Sequence, residues 1–477
     1  MDIVYCFLPK SGGLPPCGLG LLNAITKNAG FESLILDFNA EFPCQVKELF
    51  PGTDPEQLEP LFIFSEEWDK EKDKLDSLVE HWVNRIIEQQ PKFLGISIFT
   101  QRNVKPAKEL ITKLRQYNTT IKIIIGGPYC TEESVQEFVN DFGVEYAVTG
   151  EGEPVITRIL QNEIGSGIIS SWQFGEHNVD TNPIPDYTGL DLTAYKNSVL
   201  YVTYSRSCPR SCTFCEVPSI WKSFRYRDPA RVAEEILFYI ENFGITRFQF
   251  TDSLINGDMT SYRQLLFELS RIKQKYNKFE WQAFYIIRSP KQMLYEDFKQ
   301  AVDAGCKIAK IGVESGSAQV RKHMKKGFSP KALEHFMECS LEAGLKLNLL
   351  MMTGYPTETE EDFNESIKML TSFVKYQPVI KNIRIDATGI NKNLPLWIKH
   401  KEELGLSYDA NGYWVNRLVS PAIRIERFFR LRKHAFDLGY SILQEQDIER
   451  VRQYNKILEM YDRPIFPETF KKTTNWD

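Results

Sequence analysis

Short apolar runs alternate with amphipathic helical patterns through the first third of the chain. The runs are rich in Val, Ile, Leu and Phe, which is typical of strands buried on both faces of a parallel sheet. They occupy residues 3–8, 33–36, 93–98, 121–125 and 146–148. The alternation predicts a doubly wound parallel α/β sheet over residues 1–161.

A second series of strand-like runs begins after a Gly- and Pro-containing stretch, residues 162–196, which we interpret as an interdomain linker. The runs occupy residues 199–204, 248–250, 281–284, 308–311, 347–351 and 383–385. Each is preceded or followed by a helical pattern, so six βα units predict a partial (β/α)6 barrel over residues 197–390. Residues 391–477 have an aromatic and basic helical pattern, and we assign them to a C-terminal helical region. The basic residues of this region could steer an acidic substrate, but a solvated helix face is the simpler interpretation.

Composition excludes several classes of protein. The chain has 477 residues, of which 42% are hydrophobic, enough for two or three packed domains. A net charge of −5 argues against a general nucleic-acid or membrane-surface protein. No apolar stretch approaches the length of a membrane span, and Met1 leads directly into a strand without a basic leader. We therefore expect a cytoplasmic protein with no nucleic-acid or membrane partner.

Three cysteines lie in the loop that follows the first strand of the second series. Cys208, Cys212 and Cys215 have the spacing C-x3-C-x2-C, with no fourth cysteine nearby. Thiolates are the usual ligands of a [4Fe–4S] cluster, and a three-cysteine set leaves one iron free to bind a small molecule. A structural zinc ion is the alternative, but the next downstream ligand candidates, Cys306 and His323, lie far along the chain.

This three-cysteine loop after the first barrel strand resembles that of the radical S-adenosylmethionine (SAM) enzymes. The resemblance covers about residues 197–390 and extends upstream, because the first 160 residues resemble the cobalamin (B12)-binding domain that precedes the barrel in one large subgroup. It implies that a [4Fe–4S] cluster binds SAM and cleaves it reductively to a 5′-deoxyadenosyl radical. It also implies bound cobalamin.

The resemblance implies SAM-binding residues near the strand ends of the barrel. Phe214 precedes the third cysteine, where the family's aromatic residue contacts adenine. Arg227 lies in a segment shared with many cobalamin-type relatives. Asp252 replaces the family's Gly-Gly-Glu run at the second strand, and helix capping is its alternative role. The remaining expected residues are Glu314 and Ser315 at the fourth strand, of which Ser315 could instead cap a helix, and Gly354 in the turn after the fifth strand.

The resemblance also implies a cobalamin site in the loops after the N-terminal strands. The expected residues are Pro16, Gly18, Thr100, Gln101, Gly126, Gly127, Gly150, Glu151 and Gly152. The Asp-x-His-x-x-Gly loop that supplies an axial histidine in other cobalamin proteins is missing, which implies cobalt without a histidine ligand. A degenerate domain that no longer binds cobalamin is the alternative.

These features predict a cobalamin-dependent radical SAM enzyme that abstracts hydrogen from an unactivated carbon and transfers a methyl group to it. Cyclisation or rearrangement without methyl transfer is a second hypothesis, and a non-catalytic iron–sulfur or zinc sensor is a third. The expected partners are a small-molecule or peptide substrate and an electron donor such as flavodoxin or ferredoxin. The sequence identifies no acid–base residue.

Overall fold

The structure is a computed structural model that describes residues 1–10, 13–52, 69, 72–117, 120–192, 195, 199–442 and 447–465. Contacts divide the chain into an N-terminal unit, Met1–Tyr201, and a C-terminal unit, Val202–Asp477. Residues 193, 194 and 196–198 at the predicted linker–barrel boundary, and residues 466–477 of the predicted C-terminal region, lie outside the described residues.

A six-stranded parallel sheet forms the centre of the N-terminal unit, with strand order β2-β1-β3-β4-β5-β6. Its strands are β1 Ile3–Phe7, β2 Ser33–Asp37, β3 Phe93–Ser97, β4 Lys122–Gly126, β5 Tyr146–Thr149 and β6 Gly167–Ser170. The connecting helices are α1 Cys17–Asn28, α2 Phe38–Leu49, α3 Lys72–Glu88, α4 Val104–Gln116, α5 Glu132–Asn140 and α6 Ile156–Leu160. The predicted doubly wound sheet is confirmed.

Strand β1 shows why this sheet is buried on both faces. Val4 and Cys6 point into one hydrophobic cluster, which also contains Trp82 of α3. Ile3 and Tyr5 point into a second cluster on the opposite face. The strand order reverses between β1 and β3, and in doubly wound sheets ligands bind at that reversal, beyond the carboxyl ends of the strands.

The stretch predicted as a linker is folded onto the N-terminal unit. Gly167–Ser170 is β6, which pairs in parallel with β5. Further along, the backbone carbonyl of Asp186 accepts a hydrogen bond from the Asn23 amide (3.0 Å), and its carboxylate binds the Lys27 ammonium (2.9 Å). Because the sixth strand is short and contains little more than Gly167 and two isoleucines, the sequence pattern did not reveal it.

The C-terminal unit is built on a second six-stranded parallel sheet, in which the strands follow one another in chain order, β7-β10-β11-β12-β13-β14. These strands are β7 Val199–Val202, β10 Arg247–Phe250, β11 Glu280–Tyr285, β12 Cys306–Glu314, β13 Leu347–Thr353 and β14 Ile380–Ala387. Two short pairs, β8 Ser205–Arg206 with β9 Arg225–Tyr226 and β15 Ser407–Tyr408 with β16 Trp414–Val415, are antiparallel. The predicted six-stranded partial barrel is confirmed.

Ten helices are described in the C-terminal unit. They are α7 Val217–Ile220, α8 Pro229–Phe243, α9 Met259–Lys275, α10 Tyr295–Asp303, α11 Ala318–His323, α12 Pro330–Ala343, α13 Glu360–Ser372, α14 Pro395–Leu404, α15 Pro421–Asp437 and α16 Asp447–Met460. Helix α15 is not the solvated basic helix that its sequence suggested, because Arg424, Arg427 and Arg432 are buried. No helix in the described part of the chain is long and apolar enough to cross a membrane.

Candidate functional site

The three cysteines lie in the loop between β8 and α7, and several contacts fix where that loop begins. Ser207, which precedes Cys208, has a left-handed backbone (φ 69°), and its hydroxyl donates to the Trp221 carbonyl (3.0 Å). The buried carboxylate of Asp252, after β10, accepts hydrogen bonds from the backbone N–H groups of Tyr204 (3.0 Å) and Ser205. The start of the cysteine loop is therefore attached to the neighbouring strand end.

The thiols are partly buried and spaced more widely than ligands of a single metal ion. Around one zinc ion, thiolates would lie roughly 3.8 Å apart. The three sulfur atoms do not all lie within 4.8 Å of one another. Within that limit the described residues bring together one other group of metal-binding side chains, which contains none of these cysteines. The three sulfurs are therefore not gathered around a single zinc position.

Neither candidate for a fourth zinc ligand completes a site with the three thiols. Cys306 is the first residue of β12, whereas Glu314 is its last, so roughly 26 Å of extended chain separates them. His323 lies nearer, because its carbonyl accepts a hydrogen bond from Thr213 in the cysteine loop (3.5 Å). Its ring, however, faces Tyr355 and His400. The donor set therefore fits a three-thiolate cluster better than zinc.

An ion pair lies beside the thiols. Glu314 ends β12 with a left-handed backbone (φ 67°), and its carboxylate accepts from the Lys326 ammonium at 2.8 Å. Burial would lower the pKa of Lys326, but the negative charges of Glu314, Cys212 and Cys215 raise it above its usual range. Burial raises the pKa of all three thiols, that of Cys208 to about 11, and the Lys326 charge acts in the opposite direction.

Two further predicted SAM residues lie near this ion pair but differ in exposure. The ring centroid of Phe214 is 5.7 Å from the Lys326 ammonium. The ring is partly buried and packs against a hydrophobic cluster that contains Tyr355 and Leu396. Ser315 is fully buried, and its hydroxyl accepts from the Ser317 backbone N–H (3.1 Å). Ser317, not Ser315, caps helix α11. Glu314 is thus the member of the Glu-Ser pair that faces the thiols.

The other three predicted SAM residues are already engaged by the protein. Asp252 holds the cysteine loop, as described above. Arg227 is buried, donates to the Thr203 carbonyl (2.8 Å) and forms an ion pair with Glu235 (2.7 Å). The Gly354 N–H donates to the Glu358 carboxylate (2.6 Å), and its α-carbon packs against Arg424. These contacts position the barrel, and SAM binding by the three residues stays a prediction.

A cavity of about 480 Å³ adjoins the cysteine loop. Arg210 of the loop and Arg288 after β11 line it, together with residues from the start of α12. The Arg210 guanidinium donates to the Gly327 carbonyl (2.9 Å), and Arg288 donates to the Asn256 carbonyl (2.8 Å). Burial and the charge of Arg210 lower the pKa of Arg288. Two guanidinium groups give this cavity a positive charge.

In the N-terminal unit, the predicted cobalamin residues lie in loops at the carboxyl edge of the sheet. Pro16 and Gly18 lie at the start of α1, Thr100 and Gln101 follow β3, Gly126 ends β4 and Gly127 follows it, and Gly150, Glu151 and Gly152 follow β5. Gly127 has φ 126°, and a Cβ there would lie 2.6 Å from the Ile98 carbonyl oxygen. Gly150 has φ 88°, and a Cβ there would lie 2.5 Å from the Ser171 hydroxyl. Side chains at these two positions would not fit.

Sequence reasoning missed two residues beside the cysteine loop, Lys326 and Tyr355. Lys326 forms an ion pair with Glu314. The Tyr355 hydroxyl is hydrogen-bonded to the Thr213 hydroxyl (2.8 Å) and to Nδ1 of His323 (2.9 Å). The two Tyr355 contacts join segments 142 and 32 residues apart in sequence, so no local pattern marks them. The weak signal for Lys326 was its position: it follows the Glu-Ser-Gly stretch by one short helix.

Comparison with known proteins matches both units. The model of the radical SAM superfamily matches residues 202–370, and that of the B12 binding domain matches residues 70–160. An uncharacterized methyltransferase of Pyrococcus horikoshii is 25% identical over 308 residues, which cover 60% of this chain and 65% of that protein. The chain thus spans slightly less than two thirds of this relative.

Two solved structures share the fold. The radical SAM methyltransferase TsrM from Kitasatospora setae, with tryptophan and a SAM analogue bound, superposes with a TM-score of 0.67 at 16% identity, covering 93% of this chain and 91% of TsrM. The cobalamin-dependent SAM radical enzyme OxsB, with aqua-cobalamin and SAM bound, has a TM-score of 0.67 at 14% identity, covering 97% of this chain and 70% of OxsB. The superpositions confirm the predicted fold.

Proposed function

This chain combines a radical SAM domain with a B12-binding domain, and we propose that it is a cobalamin-dependent radical SAM methyltransferase acting on an unactivated carbon of a small-molecule substrate. The observation that carries the proposal is the three-thiolate loop with its adjoining Glu314–Lys326 pair. A bound cluster supplies the electron that cleaves SAM, and a bound cobalamin supplies the methyl carrier. The residues of the chain bind and orient these groups.

Cys208, Cys212 and Cys215 are the proposed cluster ligands. Metal-binding thiols must lose their protons, and burial opposes that loss. The Lys326 charge favours the thiolate form of all three. The N–H of Arg210 also donates to the Cys208 sulfur (3.4 Å). Lys326 and this N–H therefore offset part of the burial that disfavours the thiolate form, and binding to the cluster irons would have to supply the rest.

Glu314 and Lys326 are the proposed contacts for the amino-acid part of SAM. This part carries an ammonium group and a carboxylate, which call for an anionic acceptor and a cationic donor. In the described structure the two side chains neutralise each other at 2.8 Å, with 11% and 14% of their surfaces exposed. A zwitterion placed between them would exchange one buried ion pair for two. Phe214 offers the adjacent apolar surface.

The loops after β3, β4 and β5 are the proposed cobalamin site. Gly127 and Gly150 have backbone conformations that side chains rarely adopt, and because they lack a Cβ these loops can pack closely against Ile98 and Ser171 at the carboxyl edge of the sheet. His81 lies on α3 rather than in these loops, so we propose that no histidine of the loops binds cobalt. A domain that has lost cobalamin remains the alternative, and metal content distinguishes the two.

The positive cavity beside the cysteine loop supports an acidic one-electron donor such as flavodoxin or ferredoxin as the partner. Arg210 and Arg288 lie on the side of the loop that lines this cavity. Complementary charge accelerates encounter and orients the partner. The substrate itself we assign only to the small-molecule class.

Anaerobic reconstitution with iron, sulfide and cobalamin tests the whole proposal. The wild type should bind about four irons and one cobalamin per chain and, after reduction, form 5′-deoxyadenosine from SAM. Cys212→Ala should abolish 5′-deoxyadenosine formation, whereas Cys44→Ala, which removes an exposed cysteine of α2, should not. A Cys212→Ala protein that still cleaves SAM would refute the cluster assignment.

Product analysis with methyl-labelled SAM then separates the two enzymatic hypotheses. Labelled methyl in the product together with S-adenosylhomocysteine supports methyl transfer. Formation of 5′-deoxyadenosine without S-adenosylhomocysteine supports cyclisation or rearrangement. Absence of both 5′-deoxyadenosine and S-adenosylhomocysteine supports the sensor hypothesis.

Lys326→Met tests the proposed SAM contact. Removal of the cation should raise the KM for SAM by about 10-fold or more, since a charged hydrogen bond contributes about 1.5–3 kcal/mol. Lys325→Met is the matched control, because its side chain is adjacent in sequence and exposed. Equal effects of the two substitutions would contradict the contact.

A further inference from the structure

A second group of metal-ligating side chains lies outside the cysteine loop. His323, His400 and Glu403 bring one ligand atom each within 4.8 Å of the others, and this is the sole such triplet of His, Cys, Asp or Glu in the described part of the chain. The two imidazole rings have centroids 5.7 Å apart, and His400 Nδ1 lies 2.9 Å from the Glu403 carboxylate. Two imidazoles and one carboxylate form a common zinc ligand set with three protein ligands and one open position.

The hydrogen bonds around His323 leave one of its nitrogens free to bind a metal. Nδ1 lies 2.9 Å from the Tyr355 hydroxyl, which lies 2.8 Å from the Thr213 hydroxyl, and Thr213 in turn donates to the His323 carbonyl (3.5 Å). A single direction of donation satisfies this chain, from Nδ1–H to Tyr355 to Thr213 to the carbonyl. In that tautomer Nε2 carries a lone pair, and a metal-binding histidine is usually oriented by such a bond at its other nitrogen.

The three side chains differ in exposure in a way that suits metal entry. His323 is half-buried, whereas the side chains of His400 and Glu403 are 22% and 64% exposed. Around one zinc ion, nitrogen and oxygen ligands lie roughly 3.3 Å apart. Rotation of the exposed Glu403 side chain would close the remaining distance, and a water molecule would take the open position.

The ligands come from two segments that both contact the cysteine loop. His323 ends α11, the helix that follows Glu314, and His400 and Glu403 lie in the second half of α14. The first turn of α14 is already attached, because the Leu396 N–H donates to the Thr213 carbonyl (2.7 Å). A metal ion at the triplet would attach the other half of α14 to α11.

We propose that His323, His400 and Glu403 form a zinc site that fixes helix α14 beside the cysteine loop. This ion is separate from any metal held by the cysteines. Tyr355 and Thr213 connect the two regions, so zinc occupancy restrains the loop through His323 and through α14. The role of the ion is positional, and it takes no part in the chemistry of SAM.

Zinc titration of the full-length protein, in competition with a chromophoric chelator, tests this site. Because the cysteines can also bind zinc, the protein is first reconstituted with iron and sulfide, and the titration is repeated with Co²⁺. The wild type should bind one zinc per chain, and its cobalt spectrum should lack thiolate charge-transfer bands. His400→Ala and Glu403→Gln should each weaken binding at least 10-fold.

Glu402→Gln is the matched control, because it makes the same charge change on the same helix at a side chain that is 95% exposed. It should bind zinc as the wild type does. Hydrogen exchange provides a second measurement: zinc should slow amide exchange in Pro395–Leu404 of the wild type and Glu402→Gln, but not of His400→Ala. Absence of zinc binding, equal affinity in all variants, or thiolate bands in the cobalt spectrum would overturn the proposal.

Discussion

Gly354→Ala separates a packing role from direct SAM binding at the turn after β13. Gly354 has φ 69°, and an added Cβ would overlap with the Arg424 Cβ and lie 2.8 Å from the Arg424 Cα. A left-handed alanine costs about 1–2 kcal/mol, partly offset by about 0.4–1 kcal/mol from the stiffer unfolded chain. Overpacking against the α15 backbone adds about 1–3 kcal/mol. We expect a total loss of about 2–4 kcal/mol.

Gly244→Ala provides the matched control, because Gly244 has nearly the same backbone conformation, φ 68°, with nothing within 4 Å of an added Cβ. It should lose only the conformational part, about 1 kcal/mol or less. Thermal unfolding followed by circular dichroism should therefore place Gly354→Ala roughly 2–5 °C below Gly244→Ala. Equal melting temperatures, or an unchanged melting temperature with a raised KM for SAM, would refute the packing argument and restore the role predicted from sequence.

Three further predictions concern charged groups of the C-terminal unit. Arg427→Met leaves the Glu358 carboxylate buried without its cation, so the free energy of unfolding, measured in urea, should fall by about 3–5 kcal/mol at pH 8. The loss should be smaller at pH 6, because burial raises the pKa of Glu358 to about 7 and much of the group is then protonated. Arg430→Met, at an exposed pair on the same helix, should lose less than about 1 kcal/mol, and equal losses would contradict this reasoning. Burial raises the pKa of Asp252 from 3.8 to about 7, so the folded protein binds a proton more tightly than the unfolded chain and this group stabilises the fold most at low pH. Between pH 4 and pH 8 the free energy of unfolding of the wild type should fall by up to roughly 4 kcal/mol relative to that of Asp252→Asn, and a difference that does not change with pH would contradict this argument. Arg210→Glu should slow 5′-deoxyadenosine formation about 10-fold with flavodoxin at low salt but not with dithionite, whereas equal slowing with both reductants would exclude a docking role.

The sheets and the cysteine loop could be predicted from sequence because each is encoded locally. Strand β1 is a continuous apolar run, and both of its faces are covered in the structure. The cysteine spacing lies within eight residues, so it needs no tertiary information. Strand β6 was missed for the same reason, since a four-residue run beginning with Gly167 carries too little pattern to mark a strand.

The roles of single polar residues could not be predicted, because they depend on partners distant in sequence. Asp252 and Arg227 occupy positions that the family resemblance associates with SAM, yet both make buried contacts within the protein. Arg424 has the composition of a solvated helix residue, but its guanidinium donates to the Trp414 carbonyl (2.8 Å) under the barrel turn. Sequence fixes which residue types reach a strand end, whereas tertiary packing decides which of them remain available to a ligand.

Two residues beside the thiols have a strained, left-handed backbone although neither is glycine. Ser207 and Glu314 are both left-handed without being glycine, one immediately before Cys208 and the other at the ion pair with Lys326. Each such residue costs of order 1–3 kcal/mol, and it persists only where the surroundings determine it. At Ser207 the determinants are the hydroxyl bond to Trp221 and the Asp252 contacts two residues earlier. At Glu314 the register of β12 against β13 shifts between Gly312 and Glu314, and the carboxylate is held by the Lys326 ammonium at 2.8 Å. Left-handed residues other than glycine also occur away from the cysteine loop, at Gln90 and Asn162, so the strain at Ser207 and Glu314 supports a ligand site only together with the contacts that place both residues beside the thiols.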